Sequence, residues 1–208
     1  IYIFLFQNYF TGIINNFAYW DDGSKYQDLI FSLNEFILIP FDLYEYPSLL
    51  HLIGLASALF NKLFIGEFYL EANNYIVLTR TILNLIASLS FFVYFGILKK
   101  VLKNPLLIYL AFFTFIFNFE LLSTSRFIGA DSVLVFFILL IVYLLMDKKY
   151  RFLPFFILGL ATSTKYTPII FAPIVFFYIN NFNVFLSIRK NVSTYIKQFL
   201  CFFTGFAL

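Results

Sequence analysis

Residues 75–98 form an almost unbroken apolar stretch whose one formal charge is Arg80, and further apolar stretches follow it to the end of the chain. A helix needs about 20 such residues to cross the ~30 Å hydrocarbon core of a bilayer. Inside that core every backbone polar group must be bonded within the chain, which leaves helices and closed barrels as the spanning structures. Runs this long and continuous read as helices rather than as alternating strands. The composition agrees: of 208 residues, 62% are hydrophobic and 12% charged. That is half the roughly 25% charge of an ordinary soluble domain. A soluble enzyme, a disordered chain, a collagen and a disulfide scaffold are thereby excluded. Cys201 is the single cysteine, so no intrachain disulfide is possible. The net charge of +3 is small and dispersed and gives no reason to expect a nucleic-acid partner.

The pattern predicts an all-α, polytopic transmembrane helix bundle, a single domain over 1–208. Expected spans are about 1–18, 75–98, 105–122, 131–146, 151–164, 168–187 and 198–208, with an outer loop over 19–74. Within that loop the apolar piece 47–65 reads as a helix lying at the interface, with a true span as the alternative. The chain starts with Ile1 and stops at Leu208, both inside apolar runs, and reads as a fragment truncated at both ends. The first run lacks a basic n-region and a small-residue cleavage site, so it reads as a span rather than a signal peptide.

The charges sort by face. If every span crosses, the loops 99–104, 147–151 and 188–197 share one side, with nine basic residues and one acid. The other side holds five basic residues and ten acids. By the positive-inside rule the first side is cytoplasmic. The loop 19–74 then faces the periplasm, the cell exterior or a lumen. Arg80, Glu120, Asp131 and Lys165 all fall near the outer ends of their spans rather than at mid-membrane.

Four segments on that outer face could carry chemistry. Trp20-Asp21-Asp22-Gly23 places two carboxylates side by side at the membrane surface. Crowded carboxylates near lipid have one raised pKa, which suits a general base near neutral pH. Such a pair can also bind a polar acceptor or a divalent metal, and the plain alternative is a turn and helix cap. Tyr44-Glu45-Tyr46-Pro47-Ser48 leads into an apolar helix bearing His51. Tyr46 and His51 could line a sugar or phosphate site, or serve as an interface aromatic and a hydrogen-bonded structural histidine. Ser125-Arg126-Phe127-Ile128-Gly129-Ala130-Asp131 forms the third. Arg126 could pair with Asp131 across the turn, or bind a phosphate through its guanidinium fork. Gly159-Leu160-Ala161-Thr162-Ser163-Thr164-Lys165-Tyr166-Thr167-Pro168 is the fourth. Its Lys165 could snorkel to headgroups or anchor the phosphate of a lipid-linked substrate. Phosphate-loop, dinucleotide-binding and Cys/His metal motifs are missing from the sequence, so no cofactor is required by it. The sequon Asn191-Val192-Ser193 falls on the expected cytoplasmic side and reads as chance. Gly54, Ala58 and Gly159 would permit close helix packing.

The order of these segments resembles the membrane-embedded C-type glycosyltransferases. That group includes protein O-mannosyltransferases, aminoarabinose transferases and lipopolysaccharide galacturonosyltransferases. The resemblance covers roughly 15–185, and it also takes in Arg80-x-x-x-Asn84. The Gly129-Ala130-Asp131-Ser132 and Thr164-Lys165-Tyr166 segments are its most specific parts. It implies an inverting enzyme that takes a sugar from a polyprenyl-phosphate donor on the non-cytoplasmic face of the plasma or inner membrane. The acceptor would be a glycan, a lipid or a protein. Carried over by the resemblance, Asp21 would be the general base and Asp22 its helper. Lys165 and Arg126, ahead of Arg80, would neutralise the departing polyprenyl phosphate. The family commonly has Asp-Glu where this chain has Asp21-Asp22, and a second proline where this chain has Ser48. Its members are normally longer. Two rivals stand beside this reading: a lipid or sugar transporter or flippase, and a non-catalytic membrane protein. Topology reporters fused at Lys100 and at Glu45 are expected to report opposite sides of the membrane; the same side for both would dismantle the charge-based orientation.

Overall fold

The computed structural model describes residues 49–65, 72–118, 130–147, 149–180 and 184–207. Most of these residues are helical, the rest are turns and short connections, and there is no strand among them. The helices are α1 (Leu49–Ile65), α2 (Ala72–Val101), α3 (Pro105–Ile116), α4 (Ala130–Leu145), α5 (Leu153–Thr164), α6 (Ala172–Ile179) and α7 (Val184–Phe206). A 3-10 turn, Thr167–Phe171, leads into α6.

Local chemistry sets several boundaries. At the start of α3 the Asn104 side chain accepts the Leu106 backbone N–H at 2.9 Å, and Pro105 fills a position that needs no N–H donor. α5 carries its proline in the first turn and stops where Lys165 turns extended, at φ −156° and ψ 140°. Its last residues, Thr162, Ser163 and Thr164, are all buried. Their hydroxyls donate to the carbonyls of Leu158 and Leu160 at 2.8–2.9 Å. Bonding back to the helix's own carbonyls lets three polar side chains be buried without any outside partner.

On α4, Ala130, Val133, Phe137, Ile141 and Leu144 are buried and recur at helical spacing, which makes one stripe facing the core. α5 is enclosed on most sides and packs against α7, α4, α1 and the 3-10 turn. Its most extensive neighbour is α7. Gly159 and Gly205 mark the crossing. A Cβ on Gly159 would sit against the Phe202 carbonyl oxygen and 2.7 Å from the Phe206 nitrogen. A Cβ on Gly205 would meet the Phe156 carbonyl oxygen and lie 3.1 Å from the Leu160 nitrogen. The two backbones therefore touch directly, as small residues permit between apolar helices.

Side-chain register gives the directions. Phe91 packs with Val135, and Lys100 lies 3.8 Å from the centre of the Tyr143 ring, so α2 and α4 run parallel. Gln198 reaches the Arg151 carbonyl while Gly205 meets Phe156, so α5 and α7 also run parallel. The turn 146–152 reverses the chain between α4 and α5. Lys99, Lys100, Lys149, Arg151 and Lys197 thus gather at one end of the bundle and are exposed. The start of α4 and the end of α5 form the opposite end.

Among the described residues one helix is long and apolar enough to cross a membrane, over Leu78–Val101. α1, α3, α4 and α5 are shorter apolar helices. α4 at Ala130–Leu145 lies one residue from the expected 131–146. Two expectations are corrected. The span expected over 168–187 ends as helix at Ile179, where Asn180 caps it by donating to the Phe176 carbonyl at 2.9 Å. The stretch 188–197, expected as a loop before a span at 198, lies inside the unbroken helix α7. Polarity alone does not stop a helix, and there is no proline or glycine from Val184 to Thr204 to do so. The expected interface helix is found as α1, but its first half packs into the core through Leu50, Leu55 and Ala58. The expected span 1–18 and the first part of the outer loop lie outside the described residues.

Gly159→Ala is expected to destabilise the fold by about 1–3 kcal/mol or more, because the new methyl meets rigid backbone. Gly96→Ala should cost far less, since its Cβ would meet only the Tyr143 ring edge at 3.0 Å and gains helix propensity. Thermal unfolding in detergent compares the two; equal midpoints would refute the direct backbone contact.

Candidate functional site

The two segments that carry the most specific sequence signals meet at the end of the bundle opposite the lysines. α4 begins with Ala130 and presents Asp131 in its first turn, where a negative charge is favoured by the helix dipole. α5 ends at Thr164, and Lys165 leaves it in extended conformation. Lys165 Nζ donates to Asp131 Oδ1 at 2.8 Å. Side-chain exposure is 35% for Lys165 and 49% for Asp131, so the pair is reachable from solvent. Beneath it Ser132 and Thr164 are buried, and beside it Tyr166 and Thr167 are exposed.

Arg80 and Asn84 lie one turn apart on α2, and both are 2% exposed. The parallel register of α2 and α4 puts Arg80 about one to two turns beyond the level of Asp131. Arg80 is therefore a buried cation near this end of the bundle. It falls at the third residue of the apolar stretch Leu78–Val101 rather than at its middle. His51, near the start of α1, is 7% exposed and packed with the core rather than open to solvent.

The structure brings together Asp131 and Lys165 and leaves Arg80 about one to two turns beyond their level. Asp131 pairs with Lys165 from a different helix, whereas the sequence suggested a local partner in Arg126. Asp21, Asp22, Tyr46 and Arg126 lie outside the described residues. Among the described residues no group of three or more His, Cys, Asp or Glu side chains comes together to hold a metal. A divalent metal at Asp21 and Asp22 falls outside what is described.

One polar cluster had no sequence signal as a unit. Gln198 on α7, 1% exposed, accepts from Asn180 Nδ2 at 3.2 Å and donates to the Arg151 carbonyl at 3.5 Å. It ties α6, α7 and the start of α5 together at the basic end. There, Lys149 pairs with Asp147 at 3.4 Å. The Tyr150 hydroxyl and the Asp147 carboxylate hold the Lys149 ammonium above the usual lysine pKa.

Chemically, the Asp131–Lys165 end offers an ammonium whose carboxylate partner can be exchanged for another anion. No family model, curated protein or solved structure matches the chain. The class defined by the described residues is an all-helical fold with one helix long and apolar enough to cross a membrane and a partly exposed interhelical ion pair at one end of its bundle.

Removing either partner tests how tightly the pair is held. A double-mutant cycle with Lys165→Met and Asp131→Asn is expected to give a coupling of about 0.5–1 kcal/mol, as for partly exposed pairs. The coupling should shrink in about 1 M salt, where the Debye length falls to roughly 3 Å. A salt-independent coupling of several kcal/mol would mean the pair is sealed from solvent.

Proposed function

We propose that this chain is a multi-pass membrane glycosyltransferase of the C type. It moves a sugar from a polyprenyl-phosphate donor to a glycan, lipid or protein acceptor on the non-cytoplasmic face. The observation that carries the reading is the 2.8 Å contact between Lys165 and Asp131. It joins the two segments on which the resemblance most depends, though 34 residues separate them.

In this reading Lys165 binds the donor phosphate and stabilises the charge that grows on it as the bond to the sugar breaks. Interactions aimed at developing charge are the largest lever such a site has. Arg126 shares that work, with Arg80 behind it as a buried source of positive potential. Asp21 takes the proton from the acceptor hydroxyl as it attacks the anomeric carbon, and Asp22 supports it. Asp131 orients Lys165 between turnovers, and Tyr46 and His51 belong to the donor's surroundings. The transporter reading calls for ionisable groups deep within spans. Arg80, the cation buried within α2, lies near the end of its apolar stretch, which gives that reading no specific support.

The test is sugar transfer from a polyprenyl-phospho-sugar by the full chain in reconstituted membranes. Asp21→Asn is expected to lower transfer by about 10²-fold or more, the usual contribution of a general base. Lys165→Ala should weaken donor binding by about tenfold, the scale of one charge-assisted contact. Full transfer by Asp21→Asn removes the catalytic assignment, and unchanged donor binding by Lys165→Ala removes the phosphate anchor.

A further inference from the structure

The basic end of the bundle carries a second pattern besides its charge. Lys99 and Lys100 lie in the last turn of α2, and Lys103 follows in the connection to α3. Lys149 and Arg151 lie in the turn before α5, and all five are exposed. Among the described residues Asp147 is the carboxylate at this end, and Lys149 engages it at 3.4 Å. One carboxylate leaves most of that positive charge unbalanced. The two groups of cations share one surface. Lys100 Nζ lies 3.8 Å from the centre of the Tyr143 ring, and Tyr143 precedes Asp147 by about one helical turn.

Each group is set beside tyrosine. Lys99 lies 4.6 Å from the centre of the Phe95 ring, which also meets Tyr109 at 6.4 Å between centres. Lys149 lies 4.8 Å from the centre of the Tyr150 ring. Lysine and tyrosine at one level are the arrangement of a membrane–water interface, where the ring takes the apolar side and the ammonium reaches the headgroups. α3 begins at this level with its Asn104 cap. Its Phe115 meets Tyr94 at 4.4 Å and Phe91 at 5.6 Å, so α3 runs back along α2, away from the cations. Along that run Leu106, Leu110, Phe113 and Phe117 are exposed and recur at helical spacing, as one outward stripe. An acidic protein would match the charge alone. A lipid layer matches the charge, the tyrosines and the stripe.

We infer that the basic end docks onto a layer of anionic phospholipid headgroups, with the acyl chains lying along the outer stripe of α3. A zwitterionic headgroup carries its own cation beside its phosphate and leaves the excess charge unbalanced; an anionic headgroup balances it. By the positive-inside rule this end faces the cytoplasmic leaflet, whose surface anionic lipids make negative. The surface lies opposite Asp131 and Lys165 and is separate from the donor site. The inference rests on the membrane part of the proposed function and not on sugar transfer.

The test is electron spin resonance of the full chain reconstituted in vesicles of phosphatidylglycerol and phosphatidylcholine in equal parts. A trace of either lipid, spin-labelled on its acyl chain, reports the fraction held at the protein surface. At about 0.01 M salt, phosphatidylglycerol is expected to be preferred by about threefold or more, given the attraction of each lysine or arginine to an anionic surface. In about 1 M salt, where the Debye length is roughly 3 Å, the preference should largely vanish. Lys99→Gln with Lys100→Gln and Lys103→Gln should at least halve it; all three residues are exposed, and the salt dependence of the wild-type chain tests the same point without substitution. Equal affinity for the two lipids at low salt overturns the proposal, and is the result expected if the cations serve an acidic protein instead. A preference that survives both high salt and the triple substitution overturns it as well. Alkaline carbonate separates the two readings: a chain it releases fails the membrane reading, and a chain it leaves embedded but without lipid preference fails this inference alone.

Discussion

The direct backbone contact at Gly159 and Gly205 is the constraint on which the rest of the bundle depends. Two helices that touch through their carbonyls have no freedom to rotate or slide without a clash. α5 is thereby fixed in rotation and in depth, and Lys165 emerges from its end at one defined place. The tight turn from α4 into α5 then brings the start of α4 back to that same end. The Asp131–Lys165 contact is a consequence of this packing rather than its cause. A partly exposed ion pair contributes about 0–1 kcal/mol, too little to select an architecture. The buried hydroxyls of Thr162, Ser163 and Thr164 fit this division. Bonded to their own helix, they occupy its crowded, buried end and donate to its own carbonyls.

The bundle's two ends are chemically unlike. At one, Lys99, Lys100, Lys149, Arg151 and Lys197 are exposed, and Lys149 pairs with Asp147. Lys99 and Lys100 lie over the Phe95 and Tyr143 rings at 4.6 and 3.8 Å, which covers aromatic faces without removing charge from the surface. Among the described residues the other end has two constrained cations: Arg80 is buried and Lys165 is engaged by a carboxylate. A field of exposed cations suits a headgroup layer. A cation held in a defined position suits a single anion that must be placed and released.

Much of this was legible in the chain because apolar runs bounded by prolines and charges mark helices plainly. Ala130–Leu145 and Leu153–Thr164 lie within two residues of their expected bounds. α7 was not legible, because hydropathy separates Tyr195 and Lys197 from the apolar residues after them although nothing in the backbone chemistry interrupts the helix there. Gly159 could be read as a packing residue, but its partner Gly205 could not, since a crossing point is a property of two surfaces. The Asp131–Lys165 contact was hidden for the same reason. Each residue was visible as a candidate, and Asp131 had a closer sequence neighbour in Arg126. The antiparallel run of α4 and α5 brings Lys165 to Asp131.

That resident carboxylate has a consequence for the proposed chemistry. A polyprenyl-phosphate sugar is a phosphodiester carrying one negative charge, as Asp131 does. In the proposed function Asp131 stays anchored in the first turn of α4, so the donor phosphate would compete with it for Lys165 and the ground state would gain only part of that electrostatic energy. As the sugar departs, the phosphate becomes a monoester and gains a second charge, which Asp131 cannot match. Lys165 then interacts more strongly with the transition state than with either the donor or its resting partner. The part of that interaction that grows only as the bond breaks would raise the rate beyond what donor binding gives. A lysine with no partner would spend the same positive charge on binding the donor. In the proposed function, Asp131 would thus make Lys165 more selective for the phosphate's second charge than a lysine without a carboxylate beside it.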